Sequence, residues 1–184
     1  AHCAFRQCTV EHCGATGLII ADGCRQIEVS RNELNDLGGG GVVVSGTAEP
    51  EAAPGLRTSH VVLRDNHIHH GGNVFTSAVG ITIGHAFGNL IEHNHIHDFY
   101  YSGISCGWLW RRGKTGAHHN LIRANDISRI GQRRLSDMGG IYMLGEQEGT
   151  VVEDNEIREV LTARAMGEGI YLDAGASLMT ICGN

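Results

Sequence analysis

Three carboxylic acids in the C-terminal third of this 184-residue chain, Asp137, Glu168 and Asp173, lie among aromatic residues placed at a recurring spacing. Tyr142 and Tyr171 each stand two residues after a glycine, Gly140 and Gly169, and so occupy one position of a repeated phrase. Upstream, that position holds Ile19, Val43, Thr82 and Ser105, a column that turns from apolar to polar and aromatic along the chain. His85 and Trp108 lie just beyond it. Aromatic faces stack on sugar rings, polar tips meet hydroxyls, and acids transfer protons or attack, so the strip has the components of a carbohydrate groove. The plainer alternative is a solvated sheet face with aromatic cross-strand pairs.

The phrase that carries this column runs the whole length of the chain. It reads Asn-x-hydrophobic, a variable stretch, then Gly-hydrophobic-x-hydrophobic. Asn32, Asn66, Asn94, Asn125, Asn155 and Asn184 open its units, and Cys8 stands in the same place in a degenerate first one. The spacing varies from 24 residues (Cys8 to Asn32) to 34 (Asn32 to Asn66), which suits short strands and turns but not helix pairs. Apolar residues alternate with period two and are rich in Ile and Val, the strand signal. One inward stripe is expected three residues before each Asn and two after it, and a second at one and three residues after each Gly. Gly at the bend is expected to supply a positive φ. The Asn residues should stack as an amide ladder between coils. The fold class is therefore all-β, a parallel β-solenoid of about six coils in one domain over 1–184. The chain reads as an excerpt of a longer β-helix. Insertions at Thr47 to Ser59, Trp110 to Gly116, Gly131 to Asp137 and Leu161 to Glu168 mark the loops, which repeat proteins tend to gather on a binding face.

Composition narrows the partners. A net charge of −6 and the lack of a basic run argue against nucleic acid. No segment has the length and apolarity of a membrane span, and no leader is visible. The six cysteines contain no Cys-x-x-Cys pair and read as buried free thiols rather than as a disulfide framework or metal site. Two units share Asn-His-Ile-His, so His67 should stack on His95 and His69 on His97 at about 4.8 Å. Imidazoles so placed can bind a transition metal. Their alternation with Ile68 and Ile96 turns them outward, and a stacked surface ladder is the preferred reading. No metal and no cofactor is assigned.

Asp137-Met138-Gly139-Gly140-Ile141-Tyr142, followed by Gly149-Thr150, Asn155 and Gly169-Ile170-Tyr171-Leu172-Asp173, resembles the C-terminal coils of β-helix glycoside hydrolases. The families it is similar to, 141 and 120, act on plant polysaccharides such as xylan or pectic side chains. The resemblance implies a right-handed helix, a polysaccharide or oligosaccharide partner and an extracellular or periplasmic setting. It makes Asp137 and Asp173 the catalytic acids, with Tyr142, Tyr171, Trp108 and His85 positioning the sugar. Spacing favours a different pair. Glycosidases hold two carboxyls about 5 Å apart for retention, or roughly 6.5–9.5 Å for inversion. Asp137 precedes its Gly by three residues and Asp173 follows its own by four, an offset of about 23 Å if extended at roughly 3.3 Å per residue. Asp137 must then fold back on its loop, and Glu168, one residue before Gly169, is the nearer partner by this count. All three acids stay in play.

Two other functions fit the same residues. A polysaccharide lyase or uronate epimerase needs a cation beside its base, and Arg111, Arg112, Lys114, Arg133 and Arg134 lie on loops. A non-catalytic sugar-binding or structural stalk needs only the fold.

Overall fold

The computed structural model describes residues 2–47, 52–165 and 167–184; Pro50, within the longest predicted insertion, lies outside the described residues. The chain winds into coils with three strand-bearing faces. The first face stacks β1 (Cys3–Arg6), β4 (Ile27–Ser30), β7 (Val62–Arg64), β10 (Leu90–Glu92), β13 (Leu121–Arg123) and the second half of the long β15 (Met138–Glu153). The second face stacks β2 (Thr9–Cys13), β5 (Glu33–Leu37), β8 (His67–Gly71), β11 (His95–Phe99), β14 (Asp126–Ile130) and β16 (Glu156–Ile157). The third holds β3 (Leu18–Ile20), β6 (Val42–Val44), β9 (Ile81–Ile83), β12 (Ile104–Cys106), the first half of β15 and the start of β17 (Gly167–Cys182). Every pairing is parallel and joins equivalent positions of neighbouring coils, as in Ile104 with Ile81 and Ile141.

The predicted stripes are the core. Val29, Leu63, Ile91, Ile122 and Val152 from the first face, Leu34, Ile68, Ile96 and Ile127 from the second, and Val42, Ile81, Ile104 and Ile141 from the third are all fully buried. Burial falls off in the terminal coils, where Leu172 and Ile181 are exposed.

The asparagine ladder runs unbroken from Asn32 to Asn184. Each Asn donates its backbone N–H and its Nδ2 to the Oδ1 of the next, as Asn94 does to Asn125 at 3.0 Å twice. Nδ2 also donates to a first-face carbonyl one coil back, Leu63 O for Asn94 at 3.0 Å. The sequence reading missed a second ladder, in which Asn89 N–H and Nδ2 donate to Asn120 Oδ1 at 3.0 and 2.8 Å.

Two expectations are corrected. The phrase glycines do not adopt positive φ. Positive φ falls instead at the corner between the first and second faces, on the residues that precede each Asn: Arg31, Asp65, His93, Ala124 and Asp154, with φ between 51 and 57°, and Gly183 at 68°. Gly41, Gly80, Gly103 and Gly140 are glycines for want of space. A Cβ on Gly80 would sit 2.5 Å from Ile96 Cγ2 and 2.6 Å from the Gly103 carbonyl oxygen. The column lets an Ile of the following coil press against bare backbone, the closeness dense core packing requires. The cysteines are free, as expected, but only Cys106 is buried; Cys3 and Cys182 are exposed. Six coils supply a continuous core only over the inner ones, so thiols in the terminal coils stay near solvent.

Opposite signs are expected at the two kinds of position. Gly80→Ala should lower stability by about 1–3 kcal/mol through overpacking. Ala124→Gly removes a strained Cβ at φ 51° and should raise stability, or leave it unchanged within about 1 kcal/mol once the added unfolded-state entropy is counted. Urea unfolding monitored by circular dichroism measures both.

Candidate functional site

The third face carries the predicted column in register: Ile19, Val43, Thr82, Ser105, Tyr142 and Tyr171 pair one to the next. All four long insertions border this face. Two leave its strands after β6 and β12, and two enter it ahead of Met138 and Gly167. The sheet is thus a floor with loops along both edges.

At its C-terminal end three tyrosines form one cluster. Tyr142 and Tyr171 stack with ring centroids 5.0 Å apart and planes 24° apart, and Tyr101 meets Tyr142 edge-on at 6.5 Å. The Tyr142 hydroxyl donates to Asp173 Oδ2 at 2.6 Å, while the Ala174 N–H donates to Asp173 Oδ1 at 2.7 Å. The Tyr101 hydroxyl donates to the backbone oxygen of Asp137 at 2.7 Å. After burial, the Asp173 and Asp137 charges raise the Tyr171 pKa. Asp137 itself has φ 60°, so the chain turns there instead of extending the strand. Glu168 pairs across the ladder with Gly139, and its Oε2 is buried with no hydrogen-bond partner.

Asp137 and Asp173 therefore act on the same tyrosines. Burial, then Asp137 and Asp173, push the Tyr101 hydroxyl up to about 12. Burial and the Asp173 hydrogen bond raise Tyr142 further, and burial, Asp173 and Asp137 raise Tyr171. The ladder pairs Met138 with Gly167 and Leu144 with Asp173, so the backbone offset between the two aspartates stands, and both bear on the tyrosines between them. Glu168 also bears on Tyr171, so the third acid belongs to the same cluster. Tyr101 escaped the sequence reading because it lies two residues ahead of Gly103, outside the strand positions used to draw the column.

His85 and Trp108 sit farther up the same face. They line an open cleft of about 360 Å³ together with Asp22, Val43, Ser45 and Thr82. Trp108 is half exposed and packs edge-on against Trp110 at 4.5 Å, so both indoles border the groove. His85 is buried, with Nδ1 unpartnered; burial lowers its pKa and Asp22 partly opposes that. Among the described residues, the buried side-chain polar atoms without a partner are His85 Nδ1, Ser105 Oγ and Glu168 Oε2. Ser105 and Glu168 lie on strands of this face, and His85 follows β9 by two residues. Leaving a buried polar atom unpaired costs about 1–3 kcal/mol, and each of these three would gain from a water or ligand partner.

The family model described as "Right handed beta helix region" matches residues 1–108, more than half of the chain. The chain belongs to the right-handed β-helix family. No curated protein matches it. A solved structure described as "Glycoside hydrolase" superposes with a TM-score of 0.78 at 22% identity, over 97% of this chain and 32% of that one. The Azotobacter vinelandii mannuronan C-5 epimerase AlgE6 A-module superposes with a TM-score of 0.57 at 12% identity, over 98% of this chain and 58% of that one. At these identities the likenesses establish the fold. The chain spans about a third of the length of the first and somewhat more than half of the second.

The tyrosines give a direct readout. Tyr101 is protonated by preference in the folded state, so its contribution to stability is complete below pH 10 and is lost as pH rises toward about 12. Alkaline difference absorbance should show Tyr101 and Tyr142 ionising above the ordinary tyrosine range, with unfolding free energy falling over that window. Asp173→Asn removes the charge and leaves only a weaker amide acceptor for the Tyr142 hydroxyl, so its ionisation should move to lower pH.

Proposed function

We propose that this chain forms the catalytic groove of a glycoside hydrolase acting on a plant-type polysaccharide or oligosaccharide. The observation that carries the proposal is the tyrosine cluster of the third face, in which Tyr142 donates to Asp173 and Tyr101 donates to the backbone of Asp137. Two-carboxylate glycosidases hold their acids roughly 5–10 Å apart, so the separation that Asp137 and Asp173 reach around a bound sugar would choose between retention and inversion. Both oxygens of Asp173 accept hydrogen bonds, which suits a base or nucleophile. Asp137, exposed at the turn, suits the residue that protonates the glycosidic oxygen. Glu168, with a free buried oxygen, is the alternative acid. Trp108 and Trp110 offer stacking faces for sugars farther along the groove, and His85 and Ser105 offer hydrogen bonds to hydroxyls. A polysaccharide substrate places the protein outside the cytoplasm.

The lyase or epimerase reading needs a cation against the base. Among the described residues no arginine or lysine pairs with Asp137, Glu168 or Asp173. Arg134 instead lies over the Tyr100 ring at 5.0 Å. Hydrolysis therefore has more support than an arginine- or lysine-assisted elimination or epimerisation, and a Ca²⁺-assisted one stays as the second reading.

In the full-length protein, Asp137→Asn and Asp173→Asn should each reduce release of reducing ends from xylan or pectic oligosaccharides by about 100-fold or more. Undiminished turnover in either variant removes that residue from the mechanism. A product absorbing in the ultraviolet as an unsaturated uronide would replace hydrolysis by elimination.

A further inference from the structure

The histidines of the second face do more than stack. The register pairs His67 with His95 and His69 with His97, and these rings do lie face to face at 4.9 and 4.7 Å. A simple ladder gives no reason for a diagonal contact. Yet His67 Nε2 approaches His97 Nε2 to 2.7 Å across that register. The carboxylates behind them decide what those two nitrogens carry. Glu33, one coil back, sits 3.0 Å from His67 Nδ1, and Asp98 sits 2.6 Å from His97 Nδ1. A carboxylate at hydrogen-bond distance requires the proton on Nδ1, which leaves a lone pair on each Nε2. Arg129 Nη2 also lies 2.7 Å from His97 Nδ1, but it donates to Asp98 Oδ2 at 2.9 Å. A guanidinium only donates, so Arg129 belongs to the carboxylate and not to a ring nitrogen that is itself a donor. Two lone pairs then face one another with nothing between them.

We propose that His67, His69 and His97 bind one divalent transition-metal ion, with Zn²⁺ the reference metal, and so clamp the third coil to the fourth. One ligand atom from each of the three lies within 4.8 Å of the other two. Imidazole nitrogens about 2.0–2.1 Å from a tetrahedral ion stand roughly 3.3 Å apart, between the contact at Nε2 and that outer limit. His97 is buried, His69 is mostly buried, and His67 opens to solvent, so the ion has an entry path and a position left for water. Glu33 and Asp98 act as the carboxylates that fix tautomer and ring orientation behind metal-bound histidines. Glu33 also contacts His69 Nε2 at 2.5 Å, which by the same rule makes Nδ1 the ligand atom of His69; that nitrogen meets His70 Nδ1 at 2.5 Å and exchanges this contact for the ion. This site lies on the face next to the tyrosine groove and is independent of the catalytic proposal.

The test uses the chain without a polyhistidine tag, stripped with EDTA and titrated with ZnCl₂ by calorimetry. Wild type should take up one Zn²⁺ per chain and gain thermal stability with it. His97→Gln and His67→Gln should weaken binding by at least about 100-fold, and Glu33→Gln by about 10–100-fold. His118→Gln/His119→Gln, a histidine pair on another face, should bind as wild type does. A wild-type chain that takes up no Zn²⁺, or a folded His97→Gln variant that binds as tightly, overturns the proposal. If the variants fail to fold, Co²⁺ in the wild-type chain decides. An intense visible spectrum of a four-coordinate nitrogen site supports the clamp, and the weak spectrum of hexaaquo Co²⁺ overturns it.

Discussion

The hydrogen bond from one asparagine side chain to the next is the constraint on which the rest of this structure depends. A parallel coil must turn at each corner, and a turn leaves backbone groups that the strand ladders cannot reach. At the Asn32–Asn184 corner the turn is made by a residue in the left-handed region, and the next residue is an asparagine, buried in every coil but the last. Its Oδ1 accepts a backbone N–H from the coil before, and its Nδ2 donates to a carbonyl and to the Oδ1 of the following asparagine. No other side chain of that size both donates and accepts with this geometry. The corner is satisfied only if the coils are in register, so the ladder fixes which residue stacks on which. Every column of chemistry on the surface inherits that alignment.

The phrase glycines act on the other side of the same arrangement. Because an isoleucine of the following coil occupies the space a Cβ would fill, each coil nests closely on the next without leaving the core. The third-face strand that begins just after this glycine is held tightly on its inner side. Its outward residues, Ser105 and Tyr142, are thus presented from a rigid floor, which a groove for an extended polymer requires.

Much of this could be read from the chain because a solenoid writes its geometry once per coil. The stripes of Val29, Leu63 and Ile91 and the asparagine column needed only recurrence at a common offset. The reason for the glycines did not follow, since a sequence shows that a residue is small without showing whether backbone angle or crowding demands it. The Asn89–Asn120 ladder had a signal in the repeated Asn-Leu-Ile, but it competes with a stronger asparagine column nearby. Tyr101 depended on loop geometry: it lies between β11 and β12, and its bond to the Asp137 backbone leaves no period in the sequence.

A column in a solenoid is structural where its residue repeats and chemical where the repeat breaks. The second-face position occupied by Glu33, His67, His95, Asp126 and Glu156 changes from acid to imidazole and back. Its two imidazoles lie beside a second pair, and only at those coils do ring nitrogens meet across the register. On the third face the change from Ile19 and Val43 to Thr82, Ser105 and then two tyrosines falls where the loops rise at both edges. Stacking holds such outliers about 4.8 Å from their counterparts, close enough for one ion or one sugar to touch residues from two coils at once. The coil-to-coil spacing that makes the core also sets the scale of the sites, so a substitution that shifts register should damage metal binding and catalysis together, although the two sites share no residue.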